Sequence, residues 1–346
     1  MIMRKITRRS FLSAAAVCGA AAALTACGGS SSSAAASSTA SSAASAAGSA
    51  AADGQSYTVG ICQLVEHAAL DAATQGFEDA LTEAFGDNVK FDFQNAQNDS
   101  ATCATIANGF VSAGVDLIMA NATPALQAAQ AATNSIPILG TSVTEYGVAL
   151  GIQDFNGTPG GNVSGTSDLA PLEDQAKMLN TWFPDAKNVG LLYCSAEPNS
   201  KYQVDTVEKY LTEMGYTCKQ FAFVDSNDMP AVAQEACDFC DVLYLPTDNM
   251  VASSTEVIDG IFSAAGKPII AGEEGICKGC GVATLSISYY DLGVTTGKMA
   301  AKILTGESKV EEMPIEYAPE FTKEYNPTIA EALGITIPDD YVAYEG

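Results

Sequence analysis

Two stretches of this 346-residue chain carry side chains suited to holding a small charged guest. Asp241-Val-Leu-Tyr-Leu-Pro-Thr-Asp-Asn249 reads as a buried strand that stops at Pro246 and delivers Thr247, Asp248 and Asn249 to a helix start. Asp116-Leu-Ile-Met-Ala-Asn-Ala-Thr-Pro124 does the same for Thr123. Threonine can cap free N–H groups, and proline suits the first helical position. Glu66-His67, Thr141-Ser142 and Glu197-Pro-Asn199-Ser200 stand at comparable strand exits or helix starts. A zwitterion needs a carboxylate for its ammonium group and N–H or hydroxyl donors for its own carboxylate. Asp248, Glu66 and Glu197 suit the first task. Thr123, Thr141, Ser142, Asn199 and Ser200 suit the second, because backbone N–H groups and the helix dipole favour an anion at a helix start. The plainer reading is that Ser200, Asn249 and Thr123 only cap helices, and one residue can do both. A carboxylate inside a Pro-Thr-Asp-Asn turn is more than a cap needs, which singles out Asp248.

Other chemistries fit less well. His67 is the only histidine and follows Glu66 at a strand exit, facing any cleft there. As a catalytic base it would need a nucleophile within reach, but no Gly-x-Ser-x-Gly elbow is present. No phosphate-binding Walker loop occurs, and the glycines from Gly157 to Gly165 do not follow a strand in dinucleotide spacing. Cys237-Asp-Phe-Cys240 and Cys277-Lys-Gly-Cys280 could together make a four-thiolate zinc site. Disulfides, or small buried thiols such as Cys62 and Cys194, are the plainer use of cysteine in an exported chain. Neither a metal nor a cofactor is expected.

The elements that must position these residues alternate. Tyr57–Cys62, Val89–Phe93, Asp116–Ala120 and Ile136–Leu139 read as strands, separated by amphipathic helices such as His67–Phe85. Val148–Gln153 is a further candidate strand, and Asn156–Gly165 reads as loop. Ser167-Asp168 then caps a helix from Pro171 to Phe183. Val189–Cys194, Thr217–Val224, Asp241–Leu245 and Pro268–Ala271 follow as strands with helices between them. Thr284–Ser288 and the helix after it return to the first group, Pro314–Tyr317 crosses back, and the tail is mostly irregular. Alternation of this kind gives parallel sheets with helices on both faces, whose ligands sit beyond the carboxyl ends of the strands. The pattern also repeats. Val59-Gly60-Ile61 leading to Glu66 matches Val189-Gly190-Leu191 leading to Glu197, and Ile136-Pro137-Ile138 matches Lys267-Pro268-Ile269, at offsets of about 130 residues. So long a repeat means two similar lobes rather than a solenoid, whose periods reach about 50 residues at most. The expected fold class is α/β, with two Rossmann-like lobes, each a parallel sheet flanked by helices.

Composition narrows the setting. With 41 acidic against 16 basic side chains the net charge is −25, which argues against nucleic acid as a partner. Arg4, Lys5, Arg8 and Arg9 precede an Ala-rich apolar run from Phe11 to Leu24. That run is too short to span a bilayer and reads as an export signal. Thr7-Arg8-Arg9-Ser10-Phe11-Leu12 resembles a twin-arginine signal, with ordinary secretion as the alternative. Leu24-Thr25-Ala26-Cys27 looks like a bacterial lipobox, implying cleavage before Cys27 and lipid on its sulfur. Residues 28–55 form a Ser/Ala/Gly tether that cannot bury enough surface to order itself.

Glu66-His67-Ala68-Ala69-Leu70-Asp71, Asn95-Ala96-Gln97, Asn121-Ala122-Thr123-Pro124, Asn162 to Asp168, Glu197-Pro198-Asn199-Ser200, Pro246-Thr247-Asp248-Asn249 and Tyr289-Tyr290-Asp291-Leu292-Gly293 stand in this order. Together they resemble the substrate-binding lipoproteins of ABC importers, in the family of tryptophan/tyrosine-type binding proteins with a type I periplasmic-binding-protein fold. The resemblance covers nearly all of Tyr57 to Pro338. It implies a three-segment hinge, with residues 56–168 plus 283–313 as lobe 1 and 169–282 plus 314–346 as lobe 2. It adds Asp168 and Tyr290 to the candidate site. It also implies a monomeric, extracytoplasmic, membrane-anchored protein, not an enzyme. Such a protein captures a small amino acid-like solute between its lobes and passes it to a permease and its ATPase. A binding protein that feeds a membrane receptor, or an exported hydrolase, is the alternative. Ala68 departs from the family's usual proline. Thr144-Glu145-Tyr146-Gly147 departs from its usual Thr-Asp-Pro run, in a loop expected to face the cleft.

Overall fold

The computed structural model describes residues 55–318 and 320–344. The export signal, Cys27 and nearly all of the tether lie outside the described residues. The first sheet is built from β1 (Tyr57–Gln63), α1 (Ala68–Phe85), β2 (Val89–Asn95), α2 (Ser100–Ala113), β3 (Leu117–Asn121), α3 (Thr123–Ala132), β4 (Ile138–Val143), α4 (Tyr146–Leu150) and β5 (Val163–Ser167). After α5 (Leu172–Trp182) the pattern restarts with β6 (Asn188–Cys194), α6 (Pro198–Glu213), β7 (Thr217–Phe223), α7 (Met229–Phe239) and β8 (Val242–Leu245). It continues through α8 (Asn249–Ala252), α9 (Thr255–Ala265), β9 (Ile269–Ala271), α10 (Glu274–Gly279) and β10 (Ala283–Ser286). α11 (Tyr289–Leu304), β11 (Glu316–Tyr317), β12 (Thr322–Tyr325), α12 (Pro327–Leu333) and β13 (Val342–Ala343) close the chain.

Two separate sheets result, ordered β11-β5-β4-β3-β1-β2 and β13-β12-β10-β9-β8-β6-β7. Every pairing is parallel except β10 with β12. The run β2-β1-β3-β4 in one sheet matches β7-β6-β8-β9 in the other, which is the repeat read from the sequence. Central strands such as β3 are buried at every residue, because helices cover both faces of a parallel sheet and leave no position for a solvated side chain. The chain crosses between sheets three times: after β5, between β10 and α11, and after β11.

Several expectations need correction. Val163–Ser167 is a strand, not loop and helix cap, although its residues are small and polar. Its hydroxyls are satisfied sideways: Ser164 Oγ donates to the Met313 carbonyl at 3.0 Å, and Thr166 Oγ1 lies 2.8 Å from Thr296 Oγ1. Val148–Gln153 is not a strand. Glu145 accepts from the Val148 N–H and starts α4, which Gly151 ends at φ 65°. β10 pairs with β9 and β12, so 283–286 belongs to the second sheet and not to the first. The short crossover through α10 leads to the adjacent parallel strand of its own sheet, the usual outcome for a β-α-β unit. β11 pairs with β5, so 316–317 belongs to the first sheet. The tail adds two strands and a helix instead of staying irregular.

α11 returns to the first lobe by lying against α1 at very close range. A Cβ on Gly293 would stand 2.0 Å from the Ala73 carbonyl oxygen, and one on Gly76 would stand 2.1 Å from that of Tyr290. Only glycine fits, because the opposing atoms are backbone and cannot swing aside. This contact fixes the amino end of α11, and with it Tyr289, next to the second crossing. Gly293→Ala is therefore expected to cost about 1–3 kcal/mol of unfolding free energy, as overpacking does. Urea denaturation measures it; an unchanged midpoint would show that the two helices are free to separate.

Candidate functional site

The carboxyl ends of the two sheets converge on a tightly closed cavity with about 10 Å³ of free space. His67, Ala69 and Leu70 follow β1; Ser142 and Thr144 come from the end of β4; Asp168 follows β5. From the second sheet come Asn199 after β6, Thr247, Asp248, Asn249 and Ala252 after β8, and Glu273 after β9. Tyr289, after β10, completes the wall. Seven strand exits, those of β1, β4, β5, β6, β8, β9 and β10, supply the wall, as expected for a crevice beyond parallel strands.

Of the candidates read from the sequence, His67, Ser142, Asp168, Asn199, Asp248 and Asn249 line the cavity. Glu66 is exposed and outside it. Tyr290 points out to Asp79, with its hydroxyl donating at 3.0 Å, and its neighbour Tyr289 takes the inward position. Thr123 is buried in the first turn of α3, and Thr141 Oγ1 lies 3.2 Å from Thr166 Oγ1. Glu197 and Ser200 are buried behind the wall. Thr144, Thr247, Glu273 and Tyr289 are additions to the candidates, although the sequence places Thr144 in the loop expected to face the cleft and Thr247 beside Asp248. Thr144 and Glu273 share the strand-exit signal that marked Ser142 and Asp248, whereas nothing in the Tyr289-Tyr290 pair says which ring faces inward.

The carboxylates divide by how fully they are satisfied. Asp248 accepts from the Cys194 N–H at 2.7 Å and the Val251 N–H at 2.9 Å, so it caps α8 and ties it to β6. Glu197 accepts from the N–H groups of Asn249 and Met250 and from the Asn249 amide at 2.7 Å. Glu273 caps α10 through the Gly275 and Ile276 N–H groups. Asp168 differs. Its Oδ2 accepts from the Tyr289 hydroxyl at 3.0 Å, while its Oδ1 is buried with no partner. Asp248, favoured from the sequence, is thus committed to the fold, and Asp168 holds the spare acceptor.

Three more lining residues carry buried polar atoms without a partner: His67 Nδ1, Ser142 Oγ and Asn199 Oδ1. The Asn199 Nδ2 donor end is fixed by the Thr247 carbonyl and the Glu197 carboxylate, each at 3.2 Å, which turns Oδ1 into the free end. His67 Nε2 stands 3.2 Å from Asn249 Oδ1, and the Asn249 Nδ2 is held by Glu197. Nε2 therefore carries the proton and Nδ1 is an acceptor; burial lowers the ring's pKa and keeps it neutral. Ser142 sits at φ 53° where the β4–β5 register slips, a strained backbone that aims its side chain out of the strand. α1 begins at the cavity with no side chain capping it, so its first N–H groups have no intrahelical partner. No lysine or arginine lines the cavity, so any anionic group here must be met by neutral donors.

Residues 58–345 match the model of the ABC transporter substrate binding protein family. The chain belongs to that family. The family binds solutes and does not transform them, and the partner of the single histidine is an amide, not a nucleophile. This substrate-binding protein is 41% identical over 260 residues to the tyrosine-binding protein of Clostridioides difficile strain R20291, covering 74% of this chain and 75% of that one. A structure from Streptococcus pneumonia in complex with L-Trp is 33% identical, with a TM-score of 0.79 over 82% of this chain and 97% of that one. A ligand-free, open substrate-binding protein with adhesive properties from Clostridium difficile is 40% identical, with a TM-score of 0.64 over 84% of this chain and 100% of that one. The better fit is to the less similar sequence.

The eight cysteines of the described residues are free, and both Cys-x-x-Cys pairs lie in one apolar cluster of the second lobe. Burial pushes the Cys240 thiol up to about 11, away from the thiolate that zinc requires. Among the described residues no three His, Cys, Asp or Glu side chains form a metal-binding group.

Burial also acts on the carboxyls. It raises Asp168 to about 6, against the hydrogen bond from Tyr289, and Glu273 to about 7, against its two backbone N–H partners. Glu197 and Asp248 shift upward for the same reason, and Glu197 further because Asp248 is close. A carboxyl raised above its unfolded value favours the fold when protonated. That stabilisation is complete below about pH 4 and is lost as pH rises through 6 and then 7. The ligand-free protein should gain stability as pH falls from about 8 to about 5. Asp168→Asn should remove the portion near pH 6, about 3 kcal/mol at 1.36 kcal/mol per pKa unit. Urea titrations across that range decide it; identical profiles for the two proteins would mean that Asp168 reaches solvent.

Proposed function

We propose that this protein captures a small α-amino acid, of the aromatic class, between its lobes and delivers it to an ABC permease in the membrane. The observation that carries the reading is Asp168, a buried carboxylate with one oxygen unpaired, in a cavity that no cationic side chain lines. An ammonium group would pair with Asp168 Oδ1 and find further acceptors in Asn199 Oδ1 and His67 Nδ1. The carboxylate of the same solute would take the amide N–H groups of Ala69 and Leu70 at the start of α1, where the helix dipole favours negative charge, with Ser142 Oγ as a third donor. Charge-assisted hydrogen bonds of this kind are short and strong out of water. The aromatic class is supported by the relatives that carry tyrosine and tryptophan in their names.

Delivery follows from the same groups. Contacts from both lobes to one solute select the arrangement in which the lobes meet, and that surface is what a permease can read. No helix among the described residues is long and apolar enough to cross a membrane. Attachment would come from lipid on Cys27, with the Ser/Ala/Gly tether giving the head reach.

Thermal unfolding of refolded, solute-free protein against a panel of amino acids tests the reading. A cognate solute at about 100 times its dissociation constant should add about 2.7 kcal/mol. Asp168→Asn should abolish that gain. In the wild type, affinity should weaken as pH falls below about 6, because protonated Asp168 no longer pairs with an ammonium group. An unchanged gain in Asp168→Asn would remove the ammonium from this position. Independently, Cys27→Ser should shift the protein from the membrane fraction to the soluble one; continued membrane association would point to a different anchor.

A further inference from the structure

Beside the cavity lies a second space, a groove of about 250 Å³ lined by Ala68, Ala69, Ala72, Glu273, Glu274, Gly275, Lys278 and Ser288 to Tyr290. Ala69, Glu273 and Tyr289 line both spaces. Ala69 has only a methyl group, and Glu273 is held back by the N–H groups of α10. The ring of Tyr289 is therefore the substantial barrier between them. It is 5% exposed, and its hydroxyl rests on Asp168, at the acceptor proposed for the ammonium group. The groove thus opens on the amino side of the solute. Its wall there carries Glu273 and Glu274, the latter ion-paired with Lys278, and its alanines leave room along α1.

We infer that Tyr289 is a specificity-determining partition that restricts this site to free amino acids and excludes peptides extended at the amino end. A dipeptide that kept its carboxylate at the start of α1 would have to carry its first residue through the position of the Tyr289 ring. With the ring gone, the peptide would run into the groove, and its terminal ammonium group would come near Glu273 and the Glu274–Lys278 ion pair. The inference rests on the amino-acid reading of the cavity and adds what it selects against.

The test compares L-tyrosine and L-tryptophan with glycyl-L-tyrosine and glycyl-L-tryptophan, by calorimetric titration and thermal shift, on wild type, Tyr289→Ala and Tyr289→Phe. Wild type should bind an amino acid and reject its glycyl dipeptide. Tyr289→Ala should bind the dipeptide, moving the ratio of the two dissociation constants by on the order of tenfold or more. Tyr289→Phe keeps the ring and loses the hydroxyl on Asp168, so it should bind the amino acid more weakly and still reject the dipeptide. Tyr289→Leu replaces Tyr289→Ala if the latter does not fold. Equal binding of amino acid and dipeptide by wild type would overturn the inference. So would a Tyr289→Ala that binds the amino acid but not the dipeptide, or a Tyr289→Phe that admits the dipeptide. Silence of wild type towards both amino acids would instead overturn the amino-acid reading on which it rests.

Discussion

The hydrogen bond from the Tyr289 hydroxyl to Asp168 is the contact on which the site depends. The two residues are far apart in sequence, yet each stands at a crossing between the sheets: Asp168 directly after β5, Tyr289 directly after β10 and the Ile287-Ser288 link. The bond thus joins two of the three crossing segments at the point where the solute would lie. It satisfies one oxygen of a carboxylate that is otherwise out of water, and it turns the other oxygen towards the cavity. The close α1–α11 packing makes this possible, since Gly76 and Gly293 fix where Tyr289 starts. A helix contact in one lobe therefore sets the electrostatics of the cleft.

Duplication explains the division of labour among the acidic groups. Glu197, Asp248 and Glu273 follow β6, β8 and β9, and each is used to organise the turn that contains it. The second lobe therefore offers the solute a rigid wall whose charges are largely neutralised by backbone N–H groups. The first lobe does the opposite. Its exits after β1, β4 and β5 present His67 Nδ1, Ser142 Oγ and Asp168 Oδ1 without internal partners. One half is a template and the other holds most of the unmet hydrogen-bonding capacity, although both descend from the same strand order.

That asymmetry also marks what the sequence could and could not reveal. The two-lobe architecture was legible because it rests on apolar runs such as Leu117 to Ala120 and Val242 to Leu245, whose spacing recurs. The strand exits were legible as a set for the same reason. The choice of carboxylate was not. Asp248 and Asp168 both follow strands, and only the hydrogen-bond partners distinguish a spent carboxylate from a spare one. β5 was missed because Val-Ser-Gly-Thr-Ser lacks an apolar run; its hydroxyls are buried against Met313 and Thr296, which arrive from much later in the chain. Tyr289 and Tyr290 differ in role only through the rotation of α11 on α1, which a pair of identical residues cannot announce.

Closure of the lobes would be set by an energy balance. In a closed cleft without solute, the four cavity atoms lacking partners would each forgo a hydrogen bond to water, at about 1–3 kcal/mol apiece. Their sum, on the order of 4–12 kcal/mol, weighs only on the closed form, because an open cleft returns these atoms to solvent. Against it stand modest contacts between the lobes, such as His67 to Asn249 at 3.2 Å and Asn98 to the Met250 sulfur at 3.1 Å. A swing from 1:99 to 99:1 needs about 5.5 kcal/mol of differential binding. A solute that satisfies these atoms supplies free energy of that order by removing the penalty. The unpaired groups of the first lobe would then be more than a recognition surface: each would add to the preference for closure around a guest with matching donors and acceptors.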